Sequence, residues 1–167
     1  GFMFNKFRSL FSSAAEEPVH PQAMLPSGQR AYAIGDIHGR LDLFEQLLAR
    51  IDEDDAARGA ADTTLILLGD LVDRGPESRG VVERAMQLVA TRKVRVLAGN
   101  HEEMLLGSLG NEETLRHFLR HGGKETLFSY GLTLEEYSRA KLDKLTERAN
   151  ALIPADHIAF MRAMENQ

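Results

Sequence analysis

Three short apolar runs recur along the chain, each closing on glycine and a polar cluster. Ala31-Tyr32-Ala33-Ile34 leads into Gly35-Asp36-Ile37-His38-Gly39. Thr63 to Leu68 leads into Gly69-Asp70-Leu71-Val72-Asp73-Arg74-Gly75, and Val94 to Ala98 into Gly99-Asn100-His101-Glu102. Between the first two, Leu41, Phe44, Leu48 and Ile51 recur at spacings of three and four, the pattern of a helix with one buried face. Val81, Ala85 and Leu88 repeat that pattern after Pro76, a residue suited to a first helical turn. Short buried strands alternating with amphipathic helices predict an α/β fold built from parallel βαβαβ units. In an open parallel sheet the ligand site lies beyond the carboxyl ends of the strands. That rule brings the three polar clusters to one edge.

The residue types at that edge suggest a metal. Residues i and i+2 of an extended segment project to the same side, which pairs Asp36 with His38, and the flanking glycines permit a tight turn. Asp36, His38, Asp70, Asn100 and His101 together offer carboxylate, imidazole and amide donors. The chain has no cysteine, so thiolate ligands and disulfides are excluded. Oxygen and nitrogen sets of this kind suit Mn²⁺, Fe²⁺, Zn²⁺ or Mg²⁺.

Composition narrows the partners. A content of 43% hydrophobic and 27% charged residues is an ordinary globular balance, and a net charge of −5 argues against a nucleic-acid backbone as partner. Apolar runs such as Leu65-Ile66-Leu67-Leu68 fall far short of the ~20 residues needed to span a bilayer. The first residues lack the apolar core of a signal peptide, and the chain is read as cytoplasmic.

The flanks divide the chain into an arm and linker over residues 1–29 and a domain over 30–167. Gly1-Phe2 before Met3 reads as a cloning remnant. Phe4, Phe7 and Phe11 at helical spacing, with Lys6 and Arg8 between them, read as an arm folded back or disordered, with a membrane-surface or partner-docking helix as the alternative. The linker holds His20, Pro18, Pro21 and Pro26. Asp52-Glu53-Asp54-Asp55 lacks the glycine and spacing of a calcium loop and is read as a solvated face. After the third strand the chain turns helical. Asn111 is a predicted cap; Thr133 with Glu136 forms a capping box, stapled by Leu132 and Tyr137. One helix is expected from there through Leu142, Leu145, Ala149 and Leu152 to Pro154, and a last one from Ala155 to about Met164.

GDIHG, GDLVDRG and GNHE, in this order with about thirty residues between them, resemble the signature of the metallophosphoesterase (calcineurin-like) superfamily. The DRG and GNHE forms resemble its bacterial Ser/Thr protein phosphatase and symmetrical diadenosine tetraphosphatase branch. The resemblance covers Ile34 to Glu102. It implies the βαβαβ half of an α/β sandwich, followed here by a helical segment, and two divalent metal ions. It makes Asp36 and His38 ligands of the first ion, Asp70 the carboxylate shared by both, and Asn100 a ligand of the second. His101 becomes the general acid, Asp73 the residue that orients it, and Arg74 the phosphate-binding fork. An Arg74 paired structurally to Asp73 is the alternative.

Members of the superfamily carry two further histidines at later strand ends, in V-H-[AG]-G and G-H-T contexts, and neither stretch is present. His121-Gly122-Gly123 follows a helical pattern and reads as a helix stop; His117 lies on the polar side of the same helix, and His157 reads as a surface residue. The second metal site is therefore incomplete, one sheet face is expected to be uncovered, and the chain is read as the amino-terminal portion of a longer enzyme. The implied function is hydrolysis of phosphomonoesters, phosphoprotein foremost. Dinucleoside polyphosphates are the alternative substrate, and a catalytically silent phosphate-binding or interaction fragment is the alternative of another class.

Overall fold

The computed structural model describes residues 23–166. The aromatic arm with Phe4, Phe7 and Phe11, and His20, lie outside the described residues. Strands β1 (Gln29–Ile34), β2 (Asp62–Leu67) and β3 (Val94–Val96) form one parallel sheet in the order β1-β2-β3. Helices α1 (Leu41–Ala57) and α2 (Ser78–Thr91) make the two crossovers. Two successive steps in one direction, each with the right-handed crossover parallel units take, put both helices on the same side of the sheet.

Burial follows that topology. The register sets Tyr32 beside Leu65, and Ile34, Leu67 and Val96 in one row. Leu65 and Leu67 are fully buried and share a core with Phe44, Leu48 and Ile51 of α1 and Val81, Val82 and Ala85 of α2. On the opposite face Ala31, Ala33, Leu68 and Arg95 are exposed. The expectation that the first run is a buried strand is thus corrected: only Ile34 of β1 is buried, because β1 is an edge strand with one face uncovered. The third strand is also shorter than expected. Past it, Leu97 bridges Glu165, whose N–H donates to the Val96 carbonyl at 2.9 Å while its own carbonyl accepts from Ala98 at 2.7 Å.

The remaining elements are α3 (Asn100–Ser108), α4 (Glu112–Phe118), a wide turn over 119–123, α5 (Lys124–Ser129), α6 (Leu134–Arg139), α7 (Leu142–Leu152) and α8 (Ala155–Arg162). Asn111 caps α4 through the Thr114 N–H, and both arms of the Thr133–Glu136 capping box form. The single helix expected from Thr133 to Leu152 is instead two, since Ala140 is extended at ψ 144°. The break lets α7 bury Leu145 and Ala149 while α6, with no buried residue, stays at the surface. His157 is not on the surface. It is 4% exposed, and the Tyr130 hydroxyl, kept protonated by its own burial, donates to its Nδ1 at 2.8 Å. The acidic run ending α1 is likewise more than solvated, because Asp55 takes Arg30 and Thr63, Asp54 takes Arg58 and Tyr32, and Asp52 takes Arg92. Among the described residues no helix is long and apolar enough to cross a membrane.

Candidate active site

Backbone strain marks the carboxyl edge of the sheet. Among the described residues, the non-glycine positions with positive φ are His38 at 45°, Asp70 at 52°, Asp73 at 76° and Arg74 at 71°. Such conformations cost roughly 1–3 kcal/mol each and persist only where surrounding contacts enforce them. Here the loops after β1 and β2 are laced together. The N–H groups of Ile37 and His38 both donate to the Asp70 carbonyl, at 3.0 and 2.9 Å, and the Gly75 N–H donates to the His38 carbonyl at 3.0 Å.

This lacing gathers donors. Ligand atoms of Asp36, His38 and Asp70 all lie within 4.8 Å of one another. His38 Nδ1 sits 2.8 Å from the Val72 carbonyl, which can only accept. Nδ1 therefore carries the proton and Nε2 keeps its lone pair, 3.7 Å from Asp36 Oδ2. Asp70 Oδ1 accepts from the His101 N–H at 3.0 Å. The approach is so close that a Cβ on Gly99 would fall 2.2 Å from that oxygen, so glycine is required there. Asn100, at the exposed start of α3, is adjacent in sequence to both Gly99 and His101. Two carboxylates and an imidazole lone pair, with no cationic side chain paired to either carboxylate among the described residues, fit a divalent cation.

A second, buried cluster stands beside the first. His101 Nδ1 is 2.7 Å from Asp73 Oδ2, and the His101 and His38 rings meet edge to face with centroids 4.6 Å apart. Asp73 is fully buried. Its other oxygen accepts from the Thr126 hydroxyl at 2.6 Å, and its N–H reaches Ser78 Oγ and Thr126 Oγ1. Burial pushes the Asp73 carboxyl up to about 7, opposed by the Thr126 hydrogen bond. Glu102, also fully buried, accepts the Asp70 and Leu71 N–H groups, and burial raises its pKa as well. Arg74 does not pair with Asp73. Its guanidinium lies 3.3 Å from His38 Nε2 and 3.5 Å from His101 Nε2, between the two imidazoles.

The structure thus brings Asp36, His38, Asp70, Asp73, Arg74 and His101 to one edge, with Asn100 at its border. None of the other described histidines joins them: His117 and His121 are exposed on α4 and the wide turn respectively, and His157 is bound to Tyr130. Glu102 ends the third polar cluster in the sequence, where no role attaches to it. Its place directly after His101, within the first turn of α3, was the available signal. Thr126 and Ser78 carried none, since Thr126 lies 53 residues from Asp73 in a helix without a motif.

The calcineurin-like phosphoesterase family profile matches residues 30–158. A symmetrical bis(5'-nucleosyl)-tetraphosphatase of Delftia acidovorans is 47% identical over 77 residues, which is 46% of this chain and 25% of that protein. One of Nitrosococcus oceani is 39% identical over 105 residues, 59% of this chain and 35% of that protein. The chain therefore spans about a quarter to a third of the length of these relatives. A hypothetical protein of Pyrococcus horikoshii shares the fold at a TM-score of 0.50 and 16% identity, over 81% of this chain and 48% of the other. With the family profile matching most of its length, this chain belongs to the calcineurin-like phosphoesterases.

Proposed function

We propose that the protein hydrolyses dinucleoside polyphosphates at the edge formed by Asp36, His38, Asp70 and His101. The observation that carries the reading is the convergence of a three-donor cation site with a buried His101–Asp73 pair. The relatives' names favour a dinucleoside tetraphosphate over the phosphoprotein that headed the sequence expectation. In this reading Asp36 and His38 hold one divalent cation, Asp70 is shared, and Asn100 serves a second. Bound divalent cations supply neutralisation of the phosphoryl oxygens and an acidified water.

The chain's own groups do the rest. Arg74 presents its fork toward the phosphate oxygens. As water adds to phosphorus and the bond to the leaving phosphate oxygen breaks, His101 Nε2 gives its proton to that oxygen. Asp73 keeps Nδ1 protonated and the ring in place, and Glu102 holds the backbone on which Asp70 turns.

The test is Mn²⁺-supported turnover of diadenosine tetraphosphate against a phosphopeptide. Diadenosine tetraphosphate is expected to be the better substrate. Asp70→Asn should abolish turnover and weaken Mn²⁺ binding, and His101→Ala should lower kcat about 10²- to 10⁴-fold while leaving Mn²⁺ binding in place. Turnover that survives both substitutions would refute the site, and preference for the phosphopeptide would refute the substrate.

A further inference from the structure

Beside the cation edge opens a cleft of about 670 Å³, lined by Arg74, Arg120, His121, Lys124, Glu125 and Tyr137 among others. Three cationic side chains face one carboxylate there, on a chain whose net charge is −5. Many of the other arginines are neutralised where they stand. Arginines elsewhere, such as Arg30, Arg40, Arg58, Arg79, Arg84 and Arg92, sit against carboxylates at 3 Å or less. Among the described residues Arg74 and Arg120 have no such pair, and Lys124 reaches Glu125 only at 4.0 Å.

The cleft and the cation edge are joined through the backbone. The Arg74 N–H donates to the Gly122 carbonyl at 3.0 Å, and a Cβ on Gly122, whose φ is +96°, would stand 2.7 Å from Arg74 Cγ. The wide turn carrying Arg120 and His121 is thereby seated on the very residue that reaches His38 and His101. One helical turn further on, Thr126 holds Asp73. His121 is fixed as well, its Nδ1 donating to the His117 carbonyl at 2.7 Å. Tyr137 stands edge-on to Phe128 with ring centroids 5.5 Å apart.

From this we infer that the cleft is a subsite for the polyphosphate arm beyond the scissile bond, with Arg120 and Lys124 taking its phosphates. A run of phosphates that begins on Arg74 continues onto the next two cations of the same wall, and the volume admits several groups. A simple phosphomonoester has nothing to place there, so the cleft selects by chain length. The inference rests on the reading of the cation edge proposed above, but binding can be tested apart from turnover.

The experiment is calorimetric titration of the metal-free protein with inorganic tripolyphosphate and with orthophosphate. Wild type should bind tripolyphosphate in a salt-sensitive way. The Arg120→Ala, Lys124→Ala double variant should lose about tenfold or more in tripolyphosphate affinity relative to orthophosphate. Equal tripolyphosphate affinity in wild type and variant would overturn the subsite. If the wild type fails to turn over diadenosine tetraphosphate yet loses tripolyphosphate in the variant, the reaction is misassigned and the cleft stands. In an enzyme that does turn it over, the double variant should raise KM for diadenosine tetraphosphate more than for p-nitrophenyl phosphate. An equal rise for both would again count against the subsite.

Discussion

The sheet carries an acidic cluster at each end, and the two are built in opposite ways. At the amino end Asp52, Asp54 and Asp55 each meet an arginine, and hydrogen bonds hold Asp54 and Asp55 well below the usual carboxylate range. At the carboxyl end the carboxylates meet one another, imidazoles, hydroxyls and backbone N–H groups, and burial drives Asp73 and Glu102 upward. The first arrangement satisfies its charges internally and has nothing left to bind. The second withholds cationic partners, which leaves Asp36 and Asp70 available to a cation. Backbone strain separates the ends in the same sense, since every non-glycine residue with positive φ among those described lies at the carboxyl end.

The largest effect expected from this contrast comes from removing the buried carboxylate. Glu102→Ala leaves the Asp70 and Leu71 N–H groups without their acceptor in a dry site, at a cost of about 3 kcal/mol. Urea denaturation should show that loss, whereas Asp52→Ala, which removes an exposed partner of Arg92, should leave the midpoint unchanged. Comparable losses in the two variants would erase the distinction. A matched pair of hydroxyls sharpens it. Thr126 and Thr63 each donate to an aspartate, at 2.6 and 2.8 Å. Thr126→Val deprives buried Asp73 of its strongest donor and should cost about 2 kcal/mol. Thr63→Val leaves Asp55 with Arg30 and should cost measurably less in the same denaturation series.

Part of this was open to reading from the chain alone. The three glycine-ended runs point to parallel βαβ units and to the site edge, because that topology leaves little freedom in where strand ends point, whereas the strand order comes from the structure alone. Asp36, His38 and Asp70 accordingly lie together at that edge. What failed was read from short-range pattern where long-range packing decides. His157 resembles a surface residue in a first helical turn until Tyr130 arrives from the end of α5. Asp52 and Glu53 do form an exposed face, but Asp55 at its end is closed over by Arg30 and Thr63 of the neighbouring strands. Thr126 lies 53 residues from Asp73, and nothing local marks it. The break at Ala140 has neither glycine nor proline to announce it.

The smallest predicted effect distinguishes the two ends by sign. In the metal-free protein the Asp73 carboxyl titrates at about 7, against 3.8 for an ordinary aspartate. Folded protein thus retains a proton that the unfolded chain has already released, and the stability tied to this group is full below about pH 4 and lost as pH rises through 7. Asp54 and Asp55 act oppositely: their lowered values give stability that is present above the ordinary carboxylate range and lost only as pH falls through it. Between pH 5 and 8 the amino end is therefore silent and the carboxyl end alone should slope, by about 1–2 kcal/mol, less than the full shift implies because His101 faces the same carboxylate. Asp73→Asn should flatten that slope in metal-free urea titrations at the two pH values, and Asp55→Asn should leave it intact. A slope that persists in Asp73→Asn would mean that the strained edge does not hold its carboxylate as described, and the contrast between the two ends would lose its electrostatic half.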